Sequence, residues 1–413
     1  MKKTGYVILL GILFCFSSRI LTAQEVNQLE GLFYLDHSPI RVEIENGMIS
    51  KMIRIEELSD PDNKNYIAPG LIDNQVNGYN GVSFIYEGND LNEQDIENIT
   101  RAIWKSGVTT YIPTLRTNPQ DLLLKNISIL ANFKDNPILR GSIPGFHLEG
   151  PYISPLDGFR GSHALKNVRK PNWEEFVEVY EASGKNILQV TLAPEIDGAM
   201  ELITKLRGLD IVVAIGHSNA DKQQITEAVD RGAATVTHIA NGMGNTINRH
   251  HNPLWPQLAE DRLMISVIAD GFHLLPEQLR VFYKAKGAEK IMLTSDATRY
   301  AGMPPGKYLN TEGDTILLTP DGAARYLARN VLSGSASPIS KGVGNMMKNT
   351  GCSLAEAIQM ASTNPARLYN LRDRGELKPG MKADLIVFTL ENFTMEIQKT
   401  IVAGELVYEA VQH

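Results

Sequence analysis

Residues 187–238 read ILQVTLAPEIDGAMELITKLRGLDIVVAIGHSNADKQQITEAVDRGAATVTH, and this stretch decides the fold. Three apolar, β-rich runs, Ile187–Ala193, Ile211–His217 and Ala234–His238, alternate with amphipathic stretches over Gly198–Leu206 and Asp221–Asp230. Near-continuous apolar runs fit strands covered on both faces, as parallel strands are. Asp221 stands where a carboxylate can accept from the unpaired N–H groups of a first helical turn.

The same alternation recurs on both sides. Ala68–Gln75 (APGLIDNQ), Val108–Thr114 (VTTYIPT) and Ile143–Glu149 (IPGFHLE) precede it, and Met264–Asp270 (MISVIAD) and Ile291–Asp296 (IMLTSD) follow. Helices are predicted over Leu91–Lys105, Trp173–Ala182 and Pro276–Lys286, with closing helices around Pro338–Asn349 and Leu354–Ser362. Eight strand–helix alternations predict an α/β fold, a (β/α)8 TIM-like barrel over residues 68–372, with a doubly wound open sheet as the alternative. Outside it, residues 29–58 alternate with period two around Asn46-Gly47, a strong hairpin signal. Asp384–Phe388, Phe393–Val402 and Leu406–Tyr408 behave alike around Ala403-Gly404. Segments 24–67 and 373–413 are therefore expected to form one small β-sandwich from both chain ends.

Composition narrows the function. The chain has 413 residues, 43% hydrophobic and 21% charged, enough for a sizeable buried core. A net charge of −7 and the lack of any basic run longer than a pair exclude a general nucleic-acid binder. Residues 1–23 begin with Lys2 and Lys3, continue with an apolar run from Tyr6 to Phe16, and offer Ala23 as a cut site. That pattern predicts a cleaved export signal, hence a periplasmic protein, and a cytoplasmic one if the signal is unused. The run is short for a bilayer span, so no stable membrane anchor is expected. Phe14 precedes Cys15 where lipid attachment needs a small residue, and Cys352 would be the one cysteine left, so no internal disulfide can form.

Polar residues gather at the ends of the predicted strands: Gln75, Glu149, His217, His238, Asp270 with His273, and Asp296. In a barrel those ends share one rim, the catalytic face. One carboxylate and two imidazoles make a three-ligand set for a divalent metal with an open position. Asp296 can then take a proton from water and return it to a leaving amine. Each residue alone has an ordinary reading. Asp296 can be a helix N-cap, His147 can pack beneath the rim, and His37 and His413 can be solvated. His250 and His251 fit surface and substrate contact equally. Joint placement on four strand ends favours the site. The chain lacks a G-x-S-x-G elbow, a Walker A sequence and a C-x-x-C pair. Gly302–Gly306 reads as a mobile or specificity loop.

These motifs resemble the N-acetylglucosamine-6-phosphate deacetylase family of the amidohydrolase superfamily. The matching pieces are APGLIDNQVNG (68–78), GFHLEGPYISP (145–155), TLAPE (191–195), GHSNA (216–220) and THIANGM (237–243). IADGFHL (268–274), TSDAT (294–298), LSGS (332–335), NPAR (364–367) and the glycine-rich tail ending in ADL (375–385) follow in order. The resemblance implies a metal held by Glu149, His217 and His238, with Asp296 as general base and acid, and one divalent ion, Zn2+, is the expected cofactor. Gln75 takes the place of the H-x-H that most amidohydrolases carry on strand one, which implies a single ion. His163, beside Ser162, matches a residue that polarises the acetamide carbonyl. Asn241 and Gly242 match sugar contacts, and Leu332, Ser333 and Gly334 a loop over the substrate. His273 matches a phosphate contact donated across a homodimer interface.

One segment departs from the family. An R-E-P-G stretch that binds the sugar phosphate is replaced by Asn248-Arg249-His250-His251-Asn252-Pro253, so either Arg249 or His251 takes the Arg position. Arg299, straight after Asp296-Ala-Thr, is a further candidate anion contact. The resemblance implies removal of acetate from an N-acetylated amino sugar, ordinarily the 6-phosphate. The altered loop and the leader motivate an exported amidohydrolase of unphosphorylated sugars, N-acyl amino acids or cyclic amides. A binding protein on a decayed barrel is the non-enzymatic alternative.

Overall fold

The computed structural model describes residues 24–85, 91–310, 313–328 and 331–411. The predicted export signal over 1–23 and His413 lie outside them. Eight parallel strands run in sequence order: Leu71–Val76, Val108–Arg116, Phe146–Glu149, Ile187–Leu192, Val212–Ile215, Ala233–Val236, Met264–Val267 and Ile291–Leu293. Each is hydrogen-bonded to the next, and Ala297, beyond the eighth, bridges Val76 of the first in parallel, so the sheet curls back on itself. The TIM-like barrel is the architecture, and the open sheet is discarded.

A helix follows each strand. The first, Glu93–Trp104, starts at a capping box between Asn92 and Asp95 and buries Ile96, Ile99 and Ile103 against the barrel. Lys222–Asp230 starts at the expected Asp221, paired reciprocally with Gln224. Both boxes satisfy amides that a helix start leaves without partners.

The first strand begins later than its apolar run suggests. Tyr66–Pro69 leaves the barrel and pairs antiparallel with Leu385–Phe388. Gly70 makes the break, because a Cβ there would stand 2.1 Å from Thr109 Oγ1. The two chain ends meet through this strand in one eight-stranded sheet that includes Gln28–Phe33, Pro39–Glu45, Met48–Arg54, Leu385–Glu391, Thr394–Val402 and Glu405–Glu409. Asn46 and Gly47 both take positive φ, 53° and 74°, as a two-residue hairpin turn requires.

Two insertions crown the catalytic end. A two-stranded ribbon, Gly78–Tyr79 with Val82–Ser83, follows the first strand. After the eighth, where a loop was expected around Gly302–Gly306, four antiparallel strands form a sheet: Gly306–Leu309, Thr315–Leu318, Ala323–Tyr326 and Val331–Ser335.

Candidate metal centre

Glu149 is the last residue of the third strand, while His217, His238 and Asp296 lie two or three residues past the fifth, sixth and eighth. All three of those take positive φ, 49°, 29° and 50°. Such conformations are uncommon for residues with a Cβ and concentrate at functional sites. They turn side chains leaving different strands toward one point.

Glu149, His217 and His238 are buried, and one ligand atom from each lies within 4.8 Å of the others. Among the described residues this is the one such group of three. Glu149 Oε1 stands 3.2 Å from His217 Nε2, 3.0 Å from His238 Nε2 and 2.9 Å from the Gln75 amide nitrogen. His217 Nδ1 is 3.0 Å from the Phe159 carbonyl oxygen, which can only accept. A neutral His217 therefore turns its Nε2 lone pair toward a carboxylate oxygen. Two lone pairs face each other favourably when a cation lies between them, so the donor set fits a divalent metal. The His238 Nδ1 and Gln75 Oε1 atoms are buried without a hydrogen-bond partner, further unused polar capacity around the cluster.

Two glycine backbones, Gly161 and Gly242, pack closely against the His217 ring. A Cβ on Gly242, whose φ is +69°, would stand 2.6 Å from His217 Nδ1. His163 lies beside it, with ring centroids 4.4 Å apart, and its Nε2 is 3.8 Å from Glu149 Oε2. Thr117 Oγ1 is 2.7 Å from His163 Nδ1. Burial pushes His163 well below the ordinary histidine range, so the ring is neutral. Enclosure raises the Asp296 carboxyl above the usual carboxylate range, with His238 pulling it back. Asn77 donates to its Oδ1 at 2.7 Å.

These groups open into a cavity of about 750 Å3. Ser162, Asn241, Gly242, His273, Leu332, Ser333 and Gly334 line it, as does Arg299. His273 Nδ1 is 2.8 Å from Asp270 Oδ2 in the same chain. Gln75 reaches the cluster from below through Glu149 and does not line the cavity. Arg249 and His251 do not line it either: both are exposed, and His251 borders a separate surface depression with Asp221, Lys222 and Asp230. His250 is exposed as well, and His37 lies far off in the terminal sheet, 2.8 Å from the Tyr66 hydroxyl. His147 packs under the rim between Thr114 and Thr191, where burial pushes it down to about 4.

Asn77, Thr117, Arg116 and Arg325 also line the cavity and carried no sequence signal of their own. Asn77 stood inside a matching motif, and Arg325 follows an Asp321-Gly322 turn that marks a hairpin.

A barrel whose strand ends converge on a carboxylate–imidazole cluster defines the class. The model of the Amidohydrolase family matches residues 66–407. The chain is 34% identical over 355 residues to the N-acetylglucosamine-6-phosphate deacetylase of Bos taurus, covering 83% of each chain. It is 29% identical over 390 residues to the N-acetylgalactosamine-6-phosphate deacetylase of Escherichia coli O157:H7, covering 94% of this chain and 99% of the other. The structure of a point mutant of the Mycobacterium smegmatis N-acetyl-D-glucosamine-6-phosphate deacetylase in complex with N-acetyl-D-glucosamine-6-phosphate superposes with a TM-score of 0.81 at 26% identity, over 93% of this chain and 100% of that one. The chain belongs to the amidohydrolase family and within it to the N-acetylglucosamine-6-phosphate deacetylases.

Proposed function

We propose that the protein is a metal-dependent amide hydrolase that converts N-acetylglucosamine 6-phosphate and water to glucosamine 6-phosphate and acetate. The observation that carries this reading is the meeting of Glu149, His217 and His238 beside Asp296 at the base of one cavity. The names of the relatives support the substrate.

Hydrolysis breaks the acetyl C–N bond, joins the carbonyl carbon to the oxygen of water and passes a proton to the departing amine. Glu149, His217 and His238 would hold the divalent ion, and a carboxylate with two imidazoles suits Zn2+. When bound, it supplies Lewis acidity to water and to a carbonyl oxygen. Asp296 accepts the proton of the attacking water and hands it to the amine nitrogen. Asn77 holds one oxygen of that carboxylate and leaves the other for the proton. Thr117 Oγ1 donates to the Glu149 carbonyl at 3.3 Å and lies 2.7 Å from His163 Nδ1, which holds the His163 ring beside Glu149, where a proton on Nε2 would let it polarise the acetamide oxygen.

The test is acetate release by the zinc-loaded full chain from N-acetylglucosamine 6-phosphate, N-acetylgalactosamine 6-phosphate and free N-acetylglucosamine. The phosphorylated glucosamine derivative is expected to turn over fastest. Faster release from the free sugar would overturn that choice of substrate. We also infer a homodimer, supported by Trp255, Leu275 and Val281, which expose apolar surface on two helices that touch. The signal-like sequence pattern over residues 1–23 supports a reading as an exported protein, and among the described residues no helix is long and apolar enough to cross a membrane.

A further inference from the structure

We propose that Glu195 is a positioning residue for the metal centre, which holds the backbone around His217 so that the imidazole stays aimed at Glu149. The inference rests on the metal-dependent reading of the site and adds a residue that touches neither the cavity nor the ligand atoms.

The first observation is a motif without a place in the chemistry. TLAPE (191–195) runs from the end of the fourth strand into its loop, and no residue of that strand or loop lines the cavity. Yet the fourth strand lies between the third and the fifth, after which Glu149 and His217 enter the site. A side chain just past its end can reach the loops on both sides.

Glu195 makes that reach. Its Oε2 accepts from the Ser218 hydroxyl at 2.7 Å, and its Oε1 accepts from the Asn219 amide at 2.6 Å. Ser218 Oγ in turn accepts from the Ala220 amide at 3.0 Å. On the other side Ser154, in the loop after the third strand, lies against the same carboxylate, and its amide donates to the His217 carbonyl at 2.9 Å. His217 is thus held through its own carbonyl and through the two residues that follow it. Among the described residues no Lys, Arg or His forms an ion pair with Glu195, so hydroxyl and amide donors alone compensate its enclosure.

The third observation is what the bracket restrains. His217 has a φ of 49°, a conformation that a residue with a Cβ keeps only where its surroundings enforce it. The Phe159 carbonyl and the two glycine backbones hold the ring. Glu195 holds the main chain from which the ring projects. Without it, that main chain can relax to a commoner conformation and swing Nε2 away from Glu149.

The test is zinc affinity of the metal-stripped full chain, measured against a chelating dye, together with hydrogen–deuterium exchange of the metal-free protein. Glu195→Gln keeps the size of the side chain but only one acceptor oxygen, so zinc affinity is expected to fall about 10-fold; Glu195→Ala should lose about 100-fold. In both, the backbone amides of residues 217–220 should exchange roughly tenfold faster, while those of the helix Glu93–Trp104 keep their wild-type rates. Ser218→Ala removes one donor and should move both readouts the same way, which covers the case in which Glu195→Ala folds poorly. A merely structural residue would lower the unfolding midpoint and speed exchange throughout the chain, with zinc affinity of the folded protein unchanged. That pattern, or wild-type zinc affinity in Glu195→Gln and Ser218→Ala, would overturn the proposal. Neither readout needs turnover, so zinc affinity that depends on Glu195 in a protein releasing no acetate would sink the deacetylase reading and leave the role of Glu195 standing.

Discussion

Asn77 Nδ2 donates to Asp296 Oδ1 at 2.7 Å, and the Asn77 backbone N–H donates to the Ala297 carbonyl at 2.7 Å. The same residue therefore closes the barrel between its first and eighth strands and aims the carboxylate that moves the proton. Asn77→Ala should lower kcat about 10–100-fold, the usual cost of losing such a supporting partner. KM and metal content should change little, because the ligands are untouched. Steady-state kinetics with metal analysis checks this; an unchanged kcat would detach Asn77 from catalysis.

The Gly242 Cα faces the His217 ring, and an added Cβ would stand 2.6 Å from Nδ1. Gly242→Ala should displace the ring from the Phe159 carbonyl and from Glu149 together. Zinc affinity is expected to fall about 10–100-fold, in line with other supporting contacts of metal ligands. Competition with a chelating dye measures it, and wild-type affinity would show that the ring has slack.

Asp73 is buried beneath the rim and accepts from the Ser295 amide at 3.1 Å. Burial, resisted by its hydrogen bonds with Ser295, raises its carboxyl from 3.8 to about 6. The folded state holds this proton more tightly than the unfolded one. Its stabilising contribution is full below pH 3.8 and is lost as the pH rises through about 6. At roughly 1.4 kcal/mol per pKa unit, the loss is on the order of 3 kcal/mol. Asp73→Asn should remove this decline between pH 4 and 6 in denaturation midpoints, and a decline equal to that of the wild type would count against it.

Asp384, in the ADL tail motif, lies 3.3 Å from Lys382 and 3.8 Å from Arg374, and its Oδ1 accepts from Ala403 N at 2.8 Å. These contacts tie the terminal sheet to the barrel, since Arg374 also donates to Thr110 and Lys382 to the Arg140 carbonyl. Asp384→Ala leaves Lys382 without its carboxylate while Arg374 keeps Asp373 at 2.9 Å, so the loss should not exceed the roughly 3–5 kcal/mol of a broken buried pair. Denaturant titration should register the loss, while acetate release per folded molecule stays at the wild-type level.

Much of this was legible in the residues because it is local. Apolar runs mark strands, Asp221 marks a helix start, and Asn46-Gly47 marks a hairpin. Strand ends carrying Glu149, His217, His238 and Asp296 then converge as a consequence of barrel geometry. Long-range partners were not legible: nothing near Asn77 announces Asp296, which stands 219 positions away. The break at Gly70 depends on Thr109, a neighbour only across the sheet. The inserted sheet was obscured because its strands are short and follow a Gly- and Pro-rich stretch. Arg249 and His251 were placed by counting along the chain from His238 and from Pro253, and a count cannot say which way a lengthened loop turns.

The most direct measurement is zinc content together with acetate release for Asp296→Asn. A carboxamide cannot shuttle the proton, so turnover should fall about 10²–10⁴-fold. Zinc should stay bound, because the three ligands remain. Turnover close to that of the wild type, with zinc retained, would contradict the role assigned to Asp296 and with it the account of the site.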